Sequence, residues 1–265
     1  MTVTEAIREV ASRPRVGTWP LLTRQVYVYR RSWTELVAAV LEPLMYLLTM
    51  GVGLGKLVGH APGLSHVSYA AYVAPGLLAM AVMNAATAET IFGAFDRIKQ
   101  AKLYDVVIAT PMSIAEIVRA ELWWATARGV LAGTGFLAAM AAFGLVHSVM
   151  SLLIVPASAL VALAFAAAGL IAASYVRDWD DFQYVQLVML PMFLFATTFY
   201  PLSVYPRGVQ LLVECLPLFH SINLIREPAL GAIGGDTVVA VAYLVAMTAL
   251  CWWFAVRRMT RVLVR

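Results

Sequence analysis

PMFLFATTFYPLSVYPRGVQLLVECLPLFHSINLIREPALG, residues Pro191–Gly231, decides the architecture of this chain. A strongly apolar run, Tyr184–Tyr200, leads into a segment that is neither a membrane span nor a polar loop. Pro201, Pro206, Pro217 and Pro228 cut it into pieces too short to cross a bilayer, which takes roughly 20 apolar helical residues. Arg207–Leu216 is two-faced, with Val209, Leu212, Val213 and Leu216 on one side and Arg207, Gln210 and Glu214 on the other. Such a piece lies at the membrane surface or dips back into protein. A re-entrant hairpin on the outer side, just before the last span, predicts a gate framed by Pro201, Pro206, Pro217 and His220.

Composition agrees with a membrane setting. The 265 residues are 62% hydrophobic and only 13% charged, with a mean hydropathy of +0.81; such values exclude an ordinary soluble enzyme. Met1–Trp33 carries charges throughout and no apolar core, so no signal peptide is expected. The net charge of +4 would suggest nucleic acid in a soluble protein; here its distribution matters more, and no nucleic-acid partner is expected. Cys215 and Cys251 occupy different environments and are expected to be free thiols. No connection is large enough to hold an enzyme core, so the driving energy must come from a partner or an ion gradient.

The expected fold is all-α, with six spans at Thr34–Gly59, Tyr69–Phe95, Leu122–Val146, Val149–Val176, Tyr184–Tyr200 and Thr237–Val256. Three regions follow: a cytoplasmic N-terminal segment, 1–33; the six-span domain, 34–256; and a basic cytoplasmic tail, 257–265. With both ends in the cytoplasm, only Lys56, Arg207 and Arg226 of the 19 Lys and Arg lie outside. That asymmetry sets the orientation. An odd number of spans would split the charges across both faces.

Two cytoplasmic features look built for a partner. Trp19, Leu22, Val26, Tyr29 and Trp33 form an apolar stripe opposite Arg24 and Arg31, which reads as an interfacial helix leading into the first span, a contact for a cytoplasmic subunit, or both. In the connection Asp96–Glu121, charges flank an apolar middle, Leu103–Ala109. Thr110-Pro111 breaks the helix there, and Ser113 with Glu116 forms a capping box for the next one. The apolar middle either packs on the chain's own spans or waits for another protein.

Long, ordered blocks carry a family resemblance along nearly the whole chain. LEPLMYLLTMGVGLG (Leu41–Gly55), YVAPGLLAMAVMNAATAETIFGAFDRIKQAKLYDVVIATPMS (Tyr72–Ser113), DDFQYVQLVMLPMFLFATTFYPLSVYP (Asp180–Pro206) and PLFHSINLIREPALG (Pro217–Gly231) resemble type-2 ABC exporter permeases. Within these, they are most similar to the nodulation lipo-oligosaccharide exporter permeases. The resemblance implies a six-span permease with a cytoplasmic coupling helix in Asp96–Ser113, a connecting helix at Trp19–Trp33 and outer re-entrant helices in Pro201–Gly231. It further implies a second permease copy, as a homodimer, and two copies of a separately encoded ATPase that binds ATP and Mg; the chain itself carries no cofactor. Leu103, Tyr104, Asp105, Val106 and Val107 would meet that ATPase. Lys102-Leu103-Tyr104-Asp105 stands where many relatives carry a threonine and a glutamate, which touches the detail of the contact and not its place.

Other signals are weaker. Gly51–Leu57 looks like a phosphate loop, but Met50 replaces its first glycine and Leu57 its hydroxyl residue, so close helix packing is the better reading. Asp178, Asp180 and Asp181 lack the second acidic cluster that a diphosphate-binding metal site needs. The histidines are scattered without ligand spacing, and His220 reads as a structural hydrogen-bonding group. Glu42 and Glu89 lie at similar depth, roughly 10 Å from the inner ends of the first two spans. Buried acids there need partners, and Arg30, Arg97, Asn84 and Thr87 are the candidates. They form either a structural network or a contact for a substrate headgroup. Phe193, Phe195, Thr197, Thr198, Phe199 and Tyr200 line a substrate path or form a lipid-facing belt.

Together these features predict the membrane half of an ATP-driven exporter of an amphiphile, multi-pass in a bacterial-type inner membrane. The competing reading is a secondary transporter or channel, which would want a midplane charge relay or paired broken helices, and the two halves show no such symmetry. A lipid-modifying enzyme would need acids or histidines facing one another.

Overall fold

Apolar runs and the prolines between them set the element order in the computed structural model of the protein, which describes residues 17–29, 33–54, 68–97, 112–146, 148–231 and 233–263. Helix α1 is Trp19–Tyr29. Helix α2, Trp33–Tyr46, contains Pro43 and runs on as π-helical turns over Leu47–Leu54. Helix α3, Tyr69–Ala88, is capped by the Ser68 hydroxyl, which accepts from Ala71 N at 3.3 Å, and continues as π-helical turns over Glu89–Gly93. Helix α4 is Ile114–Ala142 and α5 is Ile154–Ala173, the latter entered through a 3₁₀ turn, Val149–Leu153. Helix α6, Phe182–Phe195, follows a 3₁₀ turn at Trp179–Asp181. The hairpin helices α7, Arg207–Glu214, and α8, Pro217–Ala229, precede the long α9, Gly235–Leu263.

Helix α3 is the hub. Its sequence is apolar on every face, and such a helix is stable only when surrounded. Helices α4, α5 and α8 enclose it, so that 89% of its most apolar window is buried, against 17% for α9 on the outside. Small residues let the backbones approach. A Cβ on Gly133 would stand 2.7 Å from Ser158 Oγ and 2.9 Å from Val82 Cγ2, and one on Gly129 would stand 2.5 Å from Ala162 Cβ. In an apolar solvent this close packing, more than hydrophobic exclusion, holds helices together. By contrast, α6 buries only Phe182 and Phe193 and stands off the bundle.

The expected all-α fold appears, and among the described residues fewer than six helices have crossing length. Four described helices are long and apolar enough to cross a membrane: Tyr69–Gly93, Ile114–Ala142, Val149–Ala173 and Gly235–Arg261. A fifth arises if α7 and α8, bent by 83° at their junction, count as one crossing. The expected span Tyr184–Tyr200 stops at Phe195, because Pro191 weakens the helix and Thr197 takes a left-handed conformation, φ 62°. The expected span Thr34–Gly59 is helical from Trp33 to Leu54 but carries a compact apolar helix only over Val40–Thr49; residues 55–59 lie outside the described residues.

The hairpin after α6 follows its prolines. Pro201 precedes a 3₁₀ turn at Leu202–Val204, Pro206 caps α7 and Pro217 is the first residue of α8. There Pro forfeits only an amide that would be unpaired anyway. Helix α7 buries only Val213, whereas α8 buries most of its length against α3 and α9. Cys215 and Cys251 are free thiols.

This packing predicts a graded response to glycine substitution. Gly133→Val should lower the thermal stability of the detergent-solubilised protein by about 1–3 kcal/mol, the usual cost of overpacking. Gly208→Ala, with open space around it, should be neutral or gain about 0.5–1 kcal/mol. Equal melting of the two variants would contradict the close packing of α3, α4 and α5.

Candidate functional site

Four charged side chains meet where the C-terminal end of α3 passes the N-terminal half of α4. Glu89 opens the π-helical turns of α3, and Arg97 lies just beyond them. Glu121 and Arg128, seven apart and so two turns apart on α4, present to the same side. Arg97 Nη1 donates to Glu89 Oε1 at 3.0 Å, and Arg97 Nη2 donates to Glu121 Oε2 at 2.5 Å. Arg128 Nη1 donates to Glu89 Oε2 at 2.5 Å, and Gln25 Nε2 of α1 donates to Glu121 Oε1 at 3.1 Å. The charges alternate and cancel. Glu89, Glu121 and Arg128 are all buried, a placement tolerable only because each carboxylate has a cation and further hydrogen bonds.

Local sequence makes the fold-back possible. Arg97 reaches Glu89 across Gly93, where a Cβ would stand 2.8 Å from Glu89 Oε1 and 2.9 Å from Arg97 Nη2. Any larger residue at 93 would wedge the pair apart. The Arg128 guanidinium also lies 4.5 Å from the Tyr29 ring centre, and Tyr29 meets Trp124 edge-on at 5.4 Å. These contacts bind α1 to α4.

Beside this cluster is a cleft of about 670 Å³, walled by Arg24, Glu42, Asn84, Asp96 and Trp124 as well as Glu89, Arg97 and Arg128. A second space, about 320 Å³, continues from Glu42 and Asn84 past Tyr46 to Phe193, between α2, α3 and α6. One groove thus changes from charged to aromatic along its length.

Of the expected polar set, Glu89 sits in the ionic cluster with Arg97. Thr87 donates to its own helix at Met83 O, 2.7 Å. Asn84 and the exposed Glu42 line the cleft. Glu121 and Arg128 were not expected in the cluster: they look like flanking charges of the cytoplasmic connection, although Arg128 already stands well inside the span Leu122–Val146. That position, with Glu121 seven residues earlier, was the available signal.

The apolar stripe on α1 divides. Tyr29 turns towards α4, as do Leu21 and Gln25, while Trp19 (72% exposed) and Val26 face away and Leu22 is half-buried. The Glu121 carboxylate and the Arg128 guanidinium explain the choice, since they give Gln25 and Tyr29 partners. Trp33 begins α2, and Leu103, Tyr104, Asp105, Val106 and Val107 lie outside the described residues. The capping box forms as expected, with Ser113 Oγ accepting from Glu116 N at 3.3 Å and Ser113 N donating to Glu116 Oε2 at 2.7 Å.

The candidate path residues do not share one face. Phe193 is buried in the groove and touches Tyr46 and Phe199. Phe195 and Tyr200 are exposed. Thr197 and Thr198 are fully packed in the turn after α6, the latter against Gly76. In the hairpin after α6, His220 Nε2 pairs with Glu214 O at 2.9 Å, and its ring stacks 4.1 Å from that of Tyr243. Arg226, expected among the outer charges, is buried. Its Nη2 donates to Thr197 O at 2.8 Å, and its guanidinium covers the Tyr72 ring at 4.0 Å.

Comparison with known proteins gives this arrangement a context. The family model described as ABC-2 type transporter matches residues 17–230. Nodulation protein J of Rhizobium leguminosarum bv. viciae is 34% identical over 226 residues, 84% of this chain and 86% of the relative. Nodulation protein J of Rhizobium meliloti (strain 1021) is 34% identical over 230 residues, with the same coverage of 84% and 86%. Inner membrane transport permease YadH of Escherichia coli (strain K12) is 26% identical over 236 residues, 86% of this chain and 90% of the relative.

The ionic cluster predicts which acid is structural. Glu89→Gln leaves Arg128 without its carboxylate and should cost about 3–5 kcal/mol of stability, the usual penalty for stranding a buried charge. Pairing it with Arg128→Met should recover part of that loss. Glu42→Gln, on the open cleft, should stay within about 0.5 kcal/mol. Thermal melting in detergent reads all three, with transport measured per folded molecule; full stability of Glu89→Gln with transport lost would move Glu89 from the framework to the substrate path.

Proposed function

The chain belongs to the ABC-2 type transporter family, and on that premise we propose that it is the permease subunit of an ATP-driven exporter moving an amphiphile out of the cytoplasm. A lipid-linked saccharide, a glycolipid or a drug would each qualify. The observation that carries this reading is the groove between α2, α3 and α6. It begins among Arg24, Glu42, Asn84 and Asp96 and ends among Tyr46, Met83 and Phe193. A polar head and an apolar body suit such a gradient, since few but well-placed polar groups orient a ligand whose bulk is held by apolar walls. The names of the similar proteins, nodulation protein J and an inner membrane transport permease, favour the same class and an inner-membrane location.

The chain would work as half of a permease dimer, with two copies of a separate ATPase supplying nucleotide chemistry. ATP and Mg would bind there and not in this subunit. Six crossings, with both ends in the cytoplasm, remain the favoured topology. Helix α2 with its π-helical extension reaches roughly 30 Å at 1.5 Å per residue, and α6 with its preceding turn supplies the other added crossing. The charge asymmetry of the loops supports that orientation. Leu103, Tyr104, Val106 and Val107 then form an apolar patch on the inner side, where exposure costs about 25 cal/mol per Å² unless covered. An ATPase groove would cover it, with Tyr104 as anchor and Asp105 at the rim. Closure of the ATPase would move this segment, tilt the helices and open the outer hairpin.

Two measurements test the reading. Single cysteines replacing Lys102 and Ser203 should label only from the inner and only from the outer face, respectively. Outward labelling at 102 would end the coupling argument. Tyr104→Ala should weaken ATPase association about thirtyfold, the equivalent of ~2 kcal/mol for an aromatic anchor, or leave bound ATPase hydrolysing without export of labelled lipid from proteoliposomes. Asp105→Asn should do much less. Full export by Tyr104→Ala with normal ATPase binding would place the contact elsewhere, on α1 first.

A further inference from the structure

A second groove, about 660 Å³, runs between α5 and α6. Its α6 wall is formed by Tyr184, Val188 and Met192, spaced by four and so on one helical face. The groove described above adds Gln186, Leu190 and Phe193, and the two spaces share Thr87, Ile91, Val185 and Met189 as a common wall. They adjoin, with different polar ends: Glu42, Asn84 and Gln186 in one, Arg177 and Asp181 in the other. The volume lies within the range of roughly 300–1,000 Å³ typical of ligand pockets.

The groove has one polar end. Arg177 and Asp181 stand at the turn between α5 and α6, while Pro217 and Met247 close the far end from the first residue of α8 and the middle of α9. From Tyr184 to Met192 the wall extends roughly 12 Å, close to half of a hydrocarbon core about 30 Å thick. The one hydroxyl along its α3 side, Thr87, is already bonded to Met83 O. The apolar part is thus one leaflet deep, with charge only where a headgroup would lie.

Those charges have both signs. No carboxylate pairs with the Arg177 guanidinium among the described residues. The Asp181 carboxylate accepts from Arg177 N at 2.7 Å through Oδ2. Arg177 and Asp181 are the charged residues that line the groove, and the Arg258 guanidinium covers the ring of the lining Tyr175 at 4.2 Å. A headgroup without a cationic group would offer the Asp181 carboxylate no partner. A zwitterion satisfies both signs.

We infer that this groove holds one acyl chain of a resident zwitterionic phospholipid from the inner leaflet, its phosphate on Arg177 and its ammonium on Asp181. The leaflet rests on the topology proposed above, which puts 177–181 at the cytoplasmic face. The lipid acts as a filler that lets α6 stand away from α5, and it is distinct from the exported cargo in the neighbouring groove.

The test uses the full-length protein in detergent with equal amounts of phosphatidylethanolamine and phosphatidylglycerol of identical chains, and native mass spectrometry of what remains bound. About one phosphatidylethanolamine should be retained per chain, enriched about tenfold, or ~1.4 kcal/mol, over the anionic lipid. Ala168→Phe fills the groove from α5 and should lower retention at least about tenfold. Val188→Trp, on an exposed flank, does the same from α6 and covers the case in which the first variant fails to fold. Arg177→Gln should reduce the headgroup preference while the protein stays folded. Unchanged retention in a folded groove-filling variant, or equal retention of both lipids by the wild type, overturns the assignment. No ATPase or export is needed, so a negative export assay leaves this result intact. A cysteine at Asp180 labelled from the outer face would overturn the topology and, with it, the leaflet.

Discussion

Glu89, Arg97, Glu121 and Arg128 have to stay together, because three of them are buried and the fourth, the half-buried Arg97, pairs with both carboxylates. The Coulomb attraction inside such a cluster is large, and so is the cost of desolvating it; an intact neutral set is tolerable and a broken one is not. That condition joins three elements that the apolar effect alone would leave free to slide. Helix α3 contributes Glu89 and the nearby Arg97, α4 contributes Glu121 and Arg128, and α1 is drawn in through Gln25 and Tyr29. Gly93 is part of the same device, because only a missing side chain lets Arg97 fold back.

Beyond that cluster the molecule is held by close contact of small residues. Gly129 and Gly133 admit Ala162 and Ser158, which lets α3, α4 and α5 approach one another. Helix α6 has no such glycine and carries Leu187, Val188, Leu190 and Leu194 on exposed faces. Both grooves lie beside it. The difference between a tightly packed trio and one loosely seated helix therefore creates the spaces that can hold amphiphiles.

Much of this could be read from the residues. The apolar runs that became α3, α4, α5 and α9, the Ser113 cap and the proline-divided hairpin all follow from local rules of period and dihedral preference. The ionic cluster was half legible. Depth in the sequence makes Arg97 one of several candidate partners for Glu89, with Arg30, Asn84 and Thr87, but Glu121 and Arg128 belong to the cluster through the packing of α3 on α4, which no local rule specifies. The end of α6 was missed for a related reason: Phe195 to Tyr200 continues the apolar run, and the left-handed Thr197 is stabilised by Arg226 and Tyr72, residues distant in sequence. Of the two intramembrane acids, position alone could not separate the buried Glu89 from the exposed Glu42.

The Thr197 turn makes the two faces of the molecule mechanically unequal. At the end that holds the ionic cluster, separation would strand two carboxylates and two guanidiniums. At the hairpin end, Arg226 is held by a carbonyl and an aromatic face, and among the described residues no acid is paired with it. Drawing the hairpin away there would release one guanidinium and a strained non-glycine residue whose left-handed backbone costs of order 1–3 kcal/mol to hold. The bundle is in effect bolted at its base and only hooked at its rim.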